Sequence, residues 1–150
     1  MNRLFKIILV FVVLIILNGC SNNKSVDIDY GDNKDNSLEE RNLKIIINEK
    51  EYTINLENNN TVFDLIKLLP LELTMNELNG NEKYVYLDKS LSTNSYKPKY
   101  IESGDVMLYG DNCLVVFYES FETPYSYTKI GHIDGLDNLG GGSIRVSINN

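Results

Sequence analysis

Tryptophan is absent, histidine occurs once and cysteine twice in the 150 residues. With only Cys20 and Cys113, the chain has no disulfide framework of the kind that staples small secreted domains, and no cysteine pair at metal-ligand spacing. A single histidine, His132, excludes a multi-histidine metal centre. Arginine is equally scarce, at Arg3, Arg41 and Arg145. Fourteen basic against 21 acidic residues give a formal charge of −7. That balance excludes a nucleic-acid partner, which rewards clustered cations. It also excludes electrostatic binding of an anionic membrane through the folded part. Phosphate-cradling and nucleophile-elbow motifs are missing. The run Gly140-Gly141-Gly142 has no lysine and no following helix, and reads as a bend. Asp134-Gly135-Leu136-Asp137-Asn138 lacks the ligand spacing and terminal glutamate of a calcium loop. No metal, no cofactor and no catalytic residue are therefore expected.

Long hydrophobic runs are also few. One opens the chain, from Ile7 to Leu17, behind the basic stretch Met1-Asn2-Arg3-Leu4-Phe5-Lys6. It spans about 11 residues, where a bilayer crossing needs about 20. A basic flank, a short apolar stretch and a small residue are the parts of an export signal. The run ends in Leu17-Asn18-Gly19-Cys20, which resembles the bacterial lipobox. The resemblance implies cleavage after residue 19 and a diacylglycerol on the Cys20 sulfur. Several acyl chains hold a protein at a membrane where one does so only marginally. The expected location is the cell membrane, lipid-anchored on the extracytoplasmic side. Loss of Arg3 and Lys6 leaves the mature chain two charges more negative. Residues 20–42 are polar and read as a flexible tether.

The rest, residues 43–150, is about 108 residues long, enough for one core. Leu43, Ile45 and Ile47 share a strand face. Tyr52, Ile54 and Leu56 share another across the turn Asn48-Glu49-Lys50. Val62, Leu65, Ile66 and Leu69 keep helical spacing, with Thr61 as cap, Asp64 near the positive end and Pro70 as stop. Thr74-Met75-Asn76-Glu77 has the form of a capping box, predicting a second short helical turn closed by Gly80. Strands are then expected at Tyr84–Leu87, Val106–Tyr109, Cys113–Tyr118, Tyr127–Ile133 and Ile144–Ile148. Gly110-Asp111-Asn112 forms a hairpin turn between two of them. About eight short strands and one or two short covering helices predict a mainly β fold, a closed barrel.

Aromatic residues crowd into the second half. Tyr84, Tyr109, Phe117, Phe121, Tyr125 and Tyr127 are the candidate ligand-binding residues, with Lys129 and His132 beside them. Tyrosines on a barrel face can grip an extended peptide or a small apolar ligand, and tyrosine is equally an ordinary strand residue. Ser120-Phe121-Glu122-Thr123-Pro124-Tyr125 is the candidate binding loop. Lys129 and His132 are three apart on one strand, so they are expected on opposite faces. Cys113, between apolar neighbours, reads as a buried structural thiol, with a catalytic thiol as the sharper alternative.

Three segments carry a family resemblance: Leu69 to Met75, Leu78 to Tyr84, and Gly104-Asp105 through Phe117-Tyr118 to Thr123-Pro124-Tyr125-Ser126-Tyr127-Thr128-Lys129-Ile130-Gly131-His132-Ile133. Together they resemble the bacterial cyclophilin-like domain family of small β-barrels. The resemblance implies the cyclophilin barrel and leaves activity open. Cyclophilins isomerise X–Pro bonds, whose rotation barrier is about 18–20 kcal/mol, with one arginine in an apolar cleft. No segment here matches the block carrying that arginine. Lys129 is a poor substitute, being a flexible point charge in place of a fixed fork of donors. The expected role is a non-catalytic peptide- or small-ligand-binding module, monomeric. A divergent peptidyl-prolyl isomerase is the alternative, and a purely structural or protein-interaction domain the further one.

Overall fold

A computed structural model of the protein describes residues 42–150. The export segment 1–19, Cys20 and the tether as far as Arg41 lie outside the described residues.

Strict alternation builds the first hairpin. Strands β1 (Asn42–Ile47) and β2 (Lys50–Leu56) pair antiparallel, Ile45 opposite Tyr52. Leu43, Ile45 and Ile47 are buried on one face. Asn48 and Glu49 turn the chain at φ 47° and 72°. Two positive-φ residues are what a two-residue hairpin loop needs to match the strand twist.

Helix α1 (Asn60–Ile66) follows, buried through Thr61, Val62 and Leu65. Its cap is Asn59, whose Oδ1 accepts from the Val62 amide at 3.0 Å. The expected cap, Thr61, sits two residues too far in. Its hydroxyl instead donates to the Ser92 carbonyl at 2.6 Å and holds a passing loop.

The second helical turn expected at Thr74–Gly80 is not formed. Thr74 to Leu78 belong to strand β3 (Leu71–Leu78), which pairs with β10 (Ile144–Asn149) and with β4 (Glu82–Tyr86). Leu71, Leu73 and Met75 alternate, and they lie opposite Ile148, Val146 and Ile144. The period-2 pattern therefore outweighs the local capping-box resemblance. Asn79 and Gly80, at φ 56° and 72°, make the hairpin turn into β4.

The remaining elements are β5 (Tyr100–Ile101), β6 (Asp105–Tyr109), β7 (Cys113–Phe117), β8 (Phe121–Glu122) and β9 (Thr128–Ile133). Eight strands close a barrel in the order β1-β10-β3-β4-β7-β6-β9-β2, and β5 and β8 form a separate two-stranded ribbon. The closed eight-stranded barrel is thus the fold, with one short helix among the described residues. Ile45, Ile54, Val106, Leu108, Leu114, Val116 and Ile130 fill its interior, joined by Val62 and Leu65 of α1. A second cluster lies on the opposite face of β6 and β7. It comprises Ile101, Met107, Cys113, Val115, Phe117 and Tyr127, with Tyr84 and Phe121 packed against it. Strand β7 is buried at every position because both faces are covered.

One ammonium is enclosed with the core. Lys83 is fully buried, and its Nζ donates to the Gly140 and Gly142 carbonyls at 2.5 and 2.8 Å. The Tyr118 ring lies 5.2 Å from it. Burial lowers the Lys83 pKa, with Glu77 opposing. The glycine run is a bend, as its composition predicts, and it also supplies the acceptors that a buried cation requires.

Candidate functional site

The face of β4, β7 and β6 turned away from the barrel interior carries a cleft of about 320 Å³. Alternation places its walls. On β4, residues 82, 84 and 86 share this face, so Glu82, Tyr84 and Tyr86 all reach the cleft. Strand β7 contributes Cys113 and Val115 as floor, and β6 ends in Tyr109. Phe121 of β8, Tyr125 and Tyr127 close the other side.

The rings meet largely at right angles. Tyr84 and Tyr86 stand edge-to-face with centroids 6.0 Å apart, as do Tyr109 and Tyr125 at 6.1 Å. Behind them Phe117, fully buried, packs edge-on against Tyr127 at 5.5 Å and tilted against Phe121 at 5.6 Å. Such contacts stabilise by about 0.5–1.5 kcal/mol beyond burial and fix the ring planes. Tyr86, at 65% exposure, and Tyr125, at 57%, form the rim.

Beside the tyrosine hydroxyls, the polar side chains of the cleft are Asn79, Asn81 and Glu82. Glu82 is the only charged residue lining it. Burial, and then the nearby Glu77, raise the Glu82 pKa. Among the described residues no cation lies within ion-pair distance of it. Asn81 also lines the cleft, and its Oδ1 is buried with no hydrogen-bond partner. Glu77 by contrast is engaged, accepting from the Tyr118 hydroxyl at 3.2 Å and the Gly80 amide at 2.5 Å. Burial, aided by Glu82, pushes the Cys113 thiol up to about 11. Cys113 therefore stays protonated near neutral pH, as a structural thiol does.

Of the residues expected from sequence, the structure brings Tyr84, Tyr109, Phe121, Tyr125 and Tyr127 together at the cleft. Phe117 supports them from behind. Lys129 and His132 lie elsewhere. They were expected on opposite faces of β9, yet both reach Asp105 Oδ1, at 3.4 and 3.1 Å. The cause is a β-bulge. Val106 pairs with Gly131 but Met107 with Lys129, so one extra residue in β9 shifts the alternation. Lys129 also lines a separate, more open recess with Tyr96, Asn59 and Asn94.

A family model for the Cyclophilin-like family matches residues 45–149, the whole barrel apart from its first three described residues. The chain belongs to the cyclophilin-like family. The solution structure of a hypothetical protein from Archaeoglobus fulgidus is similar to this cyclophilin-like domain. It is 21% identical over 72% of this chain and 92% of that one, with a TM-score of 0.47. No curated protein matches.

Asn81 and Glu82 are the functional candidates that sequence reasoning missed in this cyclophilin-like domain. The signal was available, because Glu82 keeps register with Tyr84 and Tyr86. Beginning the strand at its first aromatic residue concealed it. Arg145, the one arginine among the described residues, is exposed on β10 and pairs in register with Thr74, away from the cleft.

Proposed function

We propose that this cyclophilin-like domain is a binding module. It takes a peptide or small ligand in the tyrosine cleft and is held at the extracytoplasmic face of the cell membrane by lipid on Cys20. The observation that carries the reading is the cleft itself. Six aromatic residues line a cavity of about 320 Å³ that opens to solvent. Exposed aromatic surface of this kind is costly to leave wet and is spent at binding sites.

A binding role fits the lining better than catalysis. Isomerisation needs preorganised donors that polarise the prolyl amide, and none of the lining side chains is basic. Cysteine-based nucleophilic chemistry needs a thiolate, and Cys113, the one thiol among the described residues, has its pKa pushed up to about 11.

The test uses the full-length protein in detergent, screened by thermal denaturation against a peptide library containing prolyl and basic sequences. A ligand that binds only the native state raises the melting temperature. The reading expects saturable stabilisation that Tyr109→Ala and Phe121→Ala diminish, without turnover in a protease-coupled prolyl assay. Turnover abolished by a cleft substitution would establish an isomerase instead. No stabilisation by any peptide would favour a structural domain. For the anchor, intact mass of native protein should carry a diacylglyceryl increment lost in Cys20→Ala, with that variant leaving the membrane fraction. An unmodified sulfur refutes the anchor and leaves the cleft reading intact.

A further inference from the structure

We infer that the ligand of the tyrosine cleft carries an organic cation, an ammonium head seated among the tyrosine rings with the Glu82 carboxylate and the Asn81 side-chain Oδ1 as its acceptors. This rests on the ligand-binding reading of the same cleft and adds the chemistry of what enters it.

Three independent features converge. The first is charge. Glu82 is the one charged side chain of the lining, and no described cation neutralises it. The adjacent ammonium is not available. Lys83 alternates to the barrel interior, where the Gly140 and Gly142 carbonyls hold it. The second is hydrogen bonding. Asn81 Oδ1 is a buried acceptor without a donor, and a buried polar group without a partner is destabilising. The third is ring geometry. Tyr84 and Tyr86 meet at 81° and Tyr109 and Tyr125 at 84°, so the rings of each pair, all of them lining the cleft, stand nearly perpendicular to each other. Electron-rich faces around a cavity are the arrangement that binds ammonium groups.

Other ligand classes fit less well. An anion would meet the Glu82 carboxylate with no cation to offset it. A neutral apolar ligand would fill the cavity but leave both acceptors dry and unpaired. Burial raises the Glu82 pKa in the free protein, and an incoming ammonium would relieve that penalty. The formal charge of −7 attracts cations toward the surface in general.

An ammonium head can belong to a free small molecule or to a lysine side chain of a peptide, and the probes separate the two. Ethanolamine is compared with its neutral isostere propan-1-ol, and Nα-acetyl-lysine methylamide with N-acetyl-norleucine methylamide. Binding to the full-length protein is followed by NMR titration and by tyrosine fluorescence, which no tryptophan obscures. At least one cation should bind saturably and about tenfold more tightly than its neutral counterpart, as expected when cation–π and carboxylate contacts act together. Glu82→Gln, verified as folded by its melting curve, should abolish that preference. Ethanolamine binding alone assigns a small ammonium compound, and lysine amide binding alone assigns a basic peptide. Equal binding of charged and neutral partners overturns the cation assignment while the ligand cleft stands. A preference that survives Glu82→Gln also overturns it. Silence from all four probes overturns it too, and the peptide screen then decides the ligand-binding reading separately.

Discussion

His132 Nδ1 lies 3.1 Å from Asp105 Oδ1, across the β6–β9 ladder in which the two residues face each other in register. The carboxylate is only 3% exposed, and it also accepts from the Glu102 amide at 3.0 Å and pairs with Lys129. It therefore ties together a turn, a strand and a bulge. Removing one partner of a buried, hydrogen-bonded charge leaves the others uncompensated. Asp105→Ala should destabilise the domain by about 2–4 kcal/mol, and His132→Ala by about 1 kcal/mol, measured by urea denaturation. Neither His132→Ala nor Lys129→Ala should change ligand binding at the tyrosine cleft, because neither residue lines it. Loss of binding in either variant would put β9 in the site.

Glu82→Gln should raise the melting temperature at neutral pH. The sign follows from the direction of the shift. Burial lifts the folded-state pKa of Glu82 above that of the unfolded chain. Below the unfolded value the group is protonated in both states and contributes nothing. As pH rises through the unfolded and then the folded value, the unfolded chain ionises more readily, so the charge opposes folding. The ionisable groups within electrostatic reach of Glu82 include Glu77, Cys113, Tyr118 and Tyr127, none of them a cation at any pH. The gain from Glu82→Gln should therefore shrink towards zero as pH falls to about 3, where model carboxyls protonate. A gain that is flat across that range would mean that packing, not charge, is being relieved.

Cys113 offers a chemical readout of the same cleft. With its pKa pushed up to about 11, about one thiol in a thousand is ionised at pH 8, against about one in four for an unperturbed cysteine. Alkylation by iodoacetamide in the native state should run about a hundredfold slower than in denaturant. Glu82→Gln should speed the native reaction, since the glutamate contributes to the shift. Native reactivity equal to that of a free thiol would mean the cleft floor opens to solvent.

Much of this barrel is legible in the alternation of its side chains. Leu43, Ile45 and Ile47 face Tyr52 and Ile54 where period 2 puts them, and Ile144, Val146 and Ile148 close the ladder. The failures have local causes. Thr74 and Glu77 imitate a helix start because a four-residue motif carries no information about the strand that will pair with it. The partners at Ile144 and Val146 lie some seventy residues away along the chain. The convergence of Lys129 and His132 needs a bulge at Ile130–Gly131, and a bulge is a property of two strands in register, not of one. The tyrosine wall was legible because aromatic residues announce themselves. Glu82, the group that gives that wall its sign, is visible only once β4 is known to begin two residues before its first tyrosine.

Gly131 lets β9 lie close against β2. A Cβ added there would lie 2.4 Å from the Asn55 carbonyl oxygen and 2.9 Å from Ile54 Cγ2. Gly131 pairs with both Leu56 of β2 and Val106 of β6. The obstruction is backbone on one side and a fully buried isoleucine on the other, so neither neighbour yields cheaply. Gly131→Ala should force β9 away from β2 at a cost of about 2–3 kcal/mol. Gly141→Ala is the matched control, since nothing lies within 4 Å of its added Cβ, and its effect should stay within about 0.5 kcal/mol. Equilibrium denaturation of the two variants side by side checks this. Equal stability would mean that β9 can shift away from β2 at little cost.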